Sequence, residues 1–429
     1  MPQHASLFEY GKKELNLSPK EEHLLNKYNR QLRKIKNDRL AYTARYENGQ
    51  LETFNFVGVL QLGKRRIEIL PKLYREASGS EAKLNLAREN LFRMLAFCKK
   101  IQLMESEMSY YAKNADFFEF LIQYFLNELQ GALENSLHRE YVETSDDLPA
   151  LRGRWNINLQ LTALMGVKHK LSCEFDEFTA DNLLNRTIKA TLRKLKSISS
   201  FQANRARIEQ FLSFFDEVDD VVIETHHFEK IRLTRLNIHY EHVLAFCKQI
   251  LLEGSLSPKS EKERFVALIY DMNELFEEYI GRLLCKNMPP NYSVELQDYG
   301  NLAQIKDEKP IIEVRPDIVI LYKNKNLAVL DTKYKLSLAK DGNPNSNDMF
   351  QMLGYACAKK CSDVFLVYPD LPDPVEFDKK KTYVIETPNG EKIRIHCIVI
   401  GLFDETGKLD PNMTSDQIIT NLRECGMIP

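Results

Sequence analysis

The chain has little of what marks the special classes of protein. It holds one Trp, 17 Gly and 16 Pro in 429 residues, too few of the last two for a collagenous or low-complexity chain. Its formal net charge is −2, from 59 Lys and Arg against 61 Asp and Glu. That balance gives no global nucleic-acid signature and counts against a protein that coats DNA, so any contact with DNA must come from local basic patches. No apolar run reaches membrane-spanning length, and the opening MPQHASLFEYGKKELN lacks an apolar core. The reading is a soluble cytoplasmic protein with no membrane partner. The 8 cysteines, at 98, 173, 247, 285, 357, 361, 397 and 425, form no CxxC pair. That spacing is poor for zinc, and buried free thiols are expected.

What is present is an ordinary globular composition, 44% hydrophobic and 28% charged, at a length that calls for two or three domains. The expected fold is a multidomain α+β or α/β chain. Residues 1–75 read as β-rich after a helix over Pro19 to Lys36, with strands at Leu40–Tyr46, Glu52–Leu62 and Arg66–Leu70 and a hairpin signal at Asn48-Gly49. Residues 76–255 read as mainly helical, with apolar residues three and four apart over Glu81 to Glu134 and again over Asp181–Phe215. The polar stretch SLSPKS, Ser255 to Ser260, marks the main boundary. Residues 256–429 then alternate helix and strand, with late strands near Thr382–Glu386 and Ile393–Phe403.

The chemistry concentrates between Arg315 and Tyr355. Arg315-Pro316-Asp317, Asp331-Thr332-Lys333 and Gln351 to Tyr355 follow one another, the first two on apolar runs that read as a hairpin joined by Lys323-Asn324-Lys325-Asn326. Asp331 and Lys333 are two apart and share a face of their strand. Asp317 joins them only if it sits opposite Asp331 or Lys333 rather than Thr332, which calls for a three-residue connection or a bulge. Two carboxylates and a lysine on otherwise apolar strands are costly unless paired or metal-bound. Such a set suits phosphodiester hydrolysis, where a hard cation wants oxygen ligands and a positioned lysine meets developing charge.

The preceding run ERFVALIYDMNELFEEYIGRLL carries an apolar stripe from Phe265 to Leu283 at helical period, and it is read as one helix. Glu277 lies nearest the edge of that stripe and is the candidate third carboxylate, while Glu274 and Glu278 fit a solvated face. After the polar loop Ser337–Asn347, Asn347 is placed as the cap of a helix on which Gln351 and Tyr355 share a face. Lys64-Arg65-Arg66 and Arg152-Gly153-Arg154 are candidate phosphate or partner contacts, with solvated turns as the plain alternative. Asp181, Asn182, Asn185 and Arg186 are read as caps and bridges.

Glu277, Asp317, Asp331-Thr332-Lys333 and Gln351…Tyr355, in this order, resemble the PD-(D/E)xK nuclease superfamily, and the last pair is similar to its RecB-like branch. Further segments, Gly58–Leu73, Leu151–Ile157, Cys173–Leu195 and Met272–Ile280, resemble the McrC family over roughly residues 40–370. The resemblance implies a restriction-endonuclease-like mixed sheet flanked by helices in residues 256–429. It implies Mg²⁺, with Mn²⁺ as substitute, held by Asp317, Asp331, the Thr332 carbonyl and Glu277, with Lys333, Gln351 and Tyr355 completing the site. The implied activity is that of a DNA-cutting restriction subunit driven by a hexameric AAA+ GTPase of McrB type that docks on residues 1–75. A stand-alone RecB-like nuclease and a mainly structural activator of such a ring are the alternatives.

Overall fold

The computed structural model describes residues 3–36, 41–63, 65–71, 81–99, 117–134, 137–162, 169–253, 265–304, 310–334, 343–370, 380–387 and 390–429. The SLSPKS boundary, most of the Ser337–Asn347 loop and Lys64 lie outside these residues.

The N-terminal part opens with two strands that the sequence reading missed, β1 (Gln3–Phe8) and β2 (Lys12–Glu14), followed by helix α1 (Pro19–Ile35). Ser18 caps α1 in a capping box with Glu21, and a Pro occupies its first turn. Next come β3 (Ala44–Glu47), β4 (Gln50–Thr53), β5 (Phe56–Leu62) and β6 (Arg65–Leu70). Asn48 and Gly49 both have positive φ, the tight β3–β4 turn that Asn-Gly favours.

The middle part is helical, as expected: α2 (Glu81–Phe97) and α3 (Phe117–Leu133) pack their Phe-rich faces into the main core. A three-stranded sheet of β7 (Glu140–Leu148), β8 (Arg154–Trp155) and β9 (Leu171–Thr179), with short helix α4 (Ile157–Thr162), interrupts the helices. Helices α5 (Leu183–Ile198), α6 (Gln202–Phe214), α7 (Thr225–Lys230) and α8 (Glu241–Lys248) follow. Asn182 caps α5, and Asp181 pairs with Arg186 at 2.6 Å, so this cluster is structural, as read.

The C-terminal part departs from the reading at its first element. Residues Phe265–Asp271 are not the start of a helix but strand β10, antiparallel to β5, and they complete a four-stranded sheet in the order β1-β6-β5-β10. A continuous apolar run of six residues, Phe265 to Tyr270, serves a buried strand as well as a helix, and an available edge on β5 decides between them. The two backbones lie so close at Gly58, φ +127°, that a Cβ there would meet the Leu268 carbonyl oxygen at 2.0 Å. Helix α9 (Met272–Asn287) starts only after Asp271, which caps it.

Strands β11 (Tyr292–Leu296), β12 (Gly300–Gln304), β13 (Pro310–Val314), β14 (Ile318–Tyr322) and β15 (Lys325–Thr332) come next. After them lie α10 (Ser346–Lys359), β16 (Asp363–Pro369), β17 (Lys380–Glu386), β18 (Lys392–Ile400) and α11 (Pro411–Glu424). Six of these strands form one mixed sheet, ordered β11-β14-β15-β16-β18-β17, in which β15, β16 and β18 run parallel. One face packs on α9 within the main core, and the other packs on α10. The first apolar run of the expected hairpin, Ile311–Leu321, is not one strand but split: β13 leaves to pair with β12, and β14 begins after Pro316. Proline cannot donate to a ladder, so the break falls where the sheet changes partner. The cysteines follow the buried-thiol reading in part, with Cys285 and Cys357 exposed.

Candidate active site

Register comes first, because it decides which side chains meet. Lys323 and Asn324 have φ of 48° and 62°, a two-residue turn of the kind that matches strand twist. A register shift between Ile320 and Leu321 leaves Leu327 as an extra residue, and Ile318 then pairs with Leu330. Carried one residue further, this register sets Asp317 opposite Asp331. The bulge therefore supplies the step that a plain two-residue turn lacks, and the two carboxylates arrive together at the end of β14–β15.

Asp317 is held from one side. Its Oδ2 accepts from the Thr332 backbone N–H at 2.7 Å and from the Thr332 hydroxyl at 2.9 Å. Burial raises its pKa against the pull of those donors and of Lys333. Asp331 is only 1% exposed. Neither of its oxygens accepts an aligned hydrogen bond, and its charge contact is Lys333 Nζ, 2.5 Å from Oδ2. Burial first, and the Asp317 charge second, push its pKa up to about 7. Two acids, one buried and one half-buried, share one lysine, which leaves a deficit of positive charge.

The lysine is fixed in turn. Lys333 Nζ donates to Gln351 Oε1 at 2.9 Å, Gln351 Nε2 donates to the Tyr355 hydroxyl at 2.6 Å, and that hydroxyl donates to the Arg315 carbonyl at 3.3 Å. Gln351 and Tyr355, four apart on α10, thus face the DxK strand. The cap of α10 is Asn345, not Asn347: its side chain accepts from the Asp348 N–H at 2.8 Å, so the helix starts two residues earlier than read.

Glu277, on α9, lines a cleft of about 1290 Å³ together with Asp317 and Gln297. Its pKa is raised by burial and then by the Asp317 charge. It does not close a three-carboxylate nest: no group of three or more His, Cys, Asp or Glu at metal-holding range occurs among the described residues. Its Oε1 instead accepts from Gln297 Nε2 at 2.8 Å. Glu274 and Glu278, read as solvated, are tied to Lys36 and Arg282. Gln297 has no motif to announce it, and sequence reasoning passed over it.

The residues present fit a hard cation: the carboxylate oxygens of Asp331 are buried without aligned donors beside a second carboxylate, the chemistry a divalent ion satisfies. The basic motifs fare differently. Arg66 is buried and pairs with Glu119 at 3.2 Å, so it is a core ion pair and not a phosphate contact. Arg65 pairs with Glu21 at 3.3 Å. Arg152 stacks over the Phe175 ring at 4.0 Å, with Gly153 at φ +65° beside the Glu174 carbonyl.

Fold and site together define an α+β protein whose C-terminal mixed sheet presents two carboxylates and a lysine from neighbouring strands. Residues 51–369 match the model of the McrBC 5-methylcytosine restriction system component, and the chain belongs to that family. Among solved structures, it is similar to a chain of the Thermococcus gammatolerans assembly of McrB AAA+ hexamers with bound McrC. The two are 20% identical with a TM-score of 0.71, over 98% of this chain and 100% of that one. A chain of the cryo-EM structure of the Thermococcus gammatolerans McrBC complex is 23% identical with a TM-score of 0.51, over 66% of this chain and 87% of that one. At these identities the likeness shows a shared fold. No curated protein matches the chain significantly.

Proposed function

We propose that this chain is the metal-dependent DNA-cutting subunit of a McrBC-type restriction system. The carrying observation is Asp331, a buried carboxylate without aligned donors, set by a bulged register against Asp317 and 2.5 Å from Lys333. Asp317, Asp331 and the Thr332 carbonyl would hold Mg²⁺ or Mn²⁺, with Glu277 at the margin, and the ion would supply charge to a phosphate and acidify a water. Lys333, steered by Gln351 and Tyr355, meets negative charge as it develops on the phosphate. Thr332 keeps the Asp317 carboxylate turned toward the shared place by two hydrogen bonds.

The partner is an AAA+ GTPase of McrB type, as in the assembly that shares this fold. That ring supplies the DNA affinity that a chain of net charge −2 lacks. The test is cleavage of methylated duplex DNA with such a GTPase, GTP and Mg²⁺. Asp331→Ala and Lys333→Ala are expected to lose cleavage while retaining fold and complex formation. Cutting by Asp331→Ala protein overturns the site. Cutting by the chain alone, without partner or nucleotide, points instead to a stand-alone nuclease.

A further inference from the structure

Gln297 stands directly after β11, is solvent-exposed, and has φ +52°, a left-handed conformation uncommon for a non-glycine residue. Three contacts fix it. Its backbone N–H donates to the carbonyl of Asp317 at 2.7 Å, which ties it to the residue that delivers the first carboxylate. Its Nε2 donates to Glu277 Oε1 at 2.8 Å, and its Oε1 accepts from the Arg315 guanidinium. A carboxylate can only accept here and a guanidinium can only donate, so one orientation of the amide serves both neighbours. Arg315 is itself held over the Tyr299 ring, 5.1 Å from its centre.

We infer that Gln297 is a positioning residue: it orients the Glu277 carboxylate toward the Asp317–Asp331 pair without neutralising it. An arginine or lysine in this place would cancel the Glu277 charge. A neutral amide takes up one oxygen without cancelling the charge and leaves the second oxygen available to a cation. Arg315 locks the amide by donating to its oxygen, and its charge also reaches Glu277 through space, opposing the rise in the carboxyl's pKa. The bond to the Asp317 backbone continues the β11–β14 ladder and ties the Glu277 contact to the strand end that delivers the first carboxylate.

This inference rests on the metal-dependent reading, so its test carries a binding readout as well as an activity one. Mn²⁺ binding by calorimetry and the Mg²⁺ dependence of partner-driven cleavage are measured for wild type, Gln297→Leu, Gln297→Gly, Glu277→Gln and the Gln297→Leu/Glu277→Gln double variant. Gln297→Gly keeps the left-handed backbone and removes only the side chain, so it separates orientation from folding. The expected result is weaker Mn²⁺ binding by about tenfold or more in Gln297→Leu and Gln297→Gly, a matching rise in the Mg²⁺ needed for half-maximal cleavage, and no further loss in the double variant. Unchanged affinity in both Gln297 variants, additive losses, or tighter Mn²⁺ binding, which would make Gln297 a latch holding Glu277 away, overturns it. Wild-type affinity and cleavage in Glu277→Gln would instead remove Glu277 from the site, a failure of the earlier reading that this comparison reports separately.

Discussion

The Tyr334 hydroxyl donates to Glu9 Oε1 at 2.8 Å, joining positions 325 apart in sequence. Tyr334 directly follows Lys333, is buried, and packs its ring 5.6 Å from Phe276 on α9. Glu9 lies just past β1 and is 0% exposed. One hydroxyl thus anchors the end of the DxK segment to the N-terminal sheet. Tyr334→Phe keeps the packing but removes a donor from a buried carboxylate. It is expected to cost about 1–3 kcal/mol in a denaturant melt; a change within error would show that the anchor is incidental.

Asp331 should make the metal-free protein sensitive to alkali. Its folded-state pKa, about 7, lies above that of an exposed aspartate because burial and Asp317 disfavour its charge. The resulting stabilisation is fully present below about pH 4 and is lost as pH rises through about 7. In EDTA, wild-type Tm is expected to fall between pH 5 and pH 8. Asp331→Asn should flatten that fall and gain on the order of 2–4 kcal/mol at pH 8, while abolishing cleavage. Parallel pH profiles for the two proteins would count against the assignment.

Metal should reverse the same penalty. Ligand carboxylates must be ionised to bind, so added Mg²⁺ is expected to raise Tm more at pH 8 than at pH 6. EDTA should undo the gain, and Asp331→Asn should show none. The check is a thermal melt at both pH values with and without the ion.

Gln351 links Lys333 to Tyr355, so Gln351→Leu removes that link while leaving the Lys333–Asp331 pair in place. Turnover is expected to fall roughly 10- to 100-fold, with the Mg²⁺ midpoint unmoved. A shift of the midpoint in place of turnover would assign Gln351 to the metal shell.

Gly58→Ala is expected to destabilise the protein by at least about 3 kcal/mol, since a methyl group cannot fit 2.0 Å from the Leu268 carbonyl oxygen and φ +127° disfavours any side chain. Wild-type stability in a denaturant melt would show that β5 and β10 separate easily.

The sequence made the catalytic-type cassette legible because its logic is local: Asp331 and Lys333 are two apart on a strand, and Gln351 and Tyr355 four apart on a helix. The Asn48-Gly49 turn was legible for the same reason. What escaped depended on distant partners. Nothing within FVALIYD says that β5 offers it an edge, so a strand was read as helix. The burial of Arg66 is set by Glu119 on another element, and Gln297 owes its place to a backbone twist that its side chain does not favour. The run through Pro316 was read as one strand, because the partner that draws β13 away, β12, lies outside it.

The placement of β10 also bears on how the chain is made. A ribosome releases β5 with one edge unpaired, and the strand that covers it follows roughly 200 residues later, a wait on the order of 10–40 s at ordinary rates of synthesis. Through that interval a buried apolar strand, Phe56–Leu62, stands as an open template for pairing with other chains. Overproduction at high temperature should therefore lose this protein to aggregates during synthesis more than during later unfolding. Supplying residues 265–271 as a separate peptide to a stalled nascent chain would be the direct way to close that window.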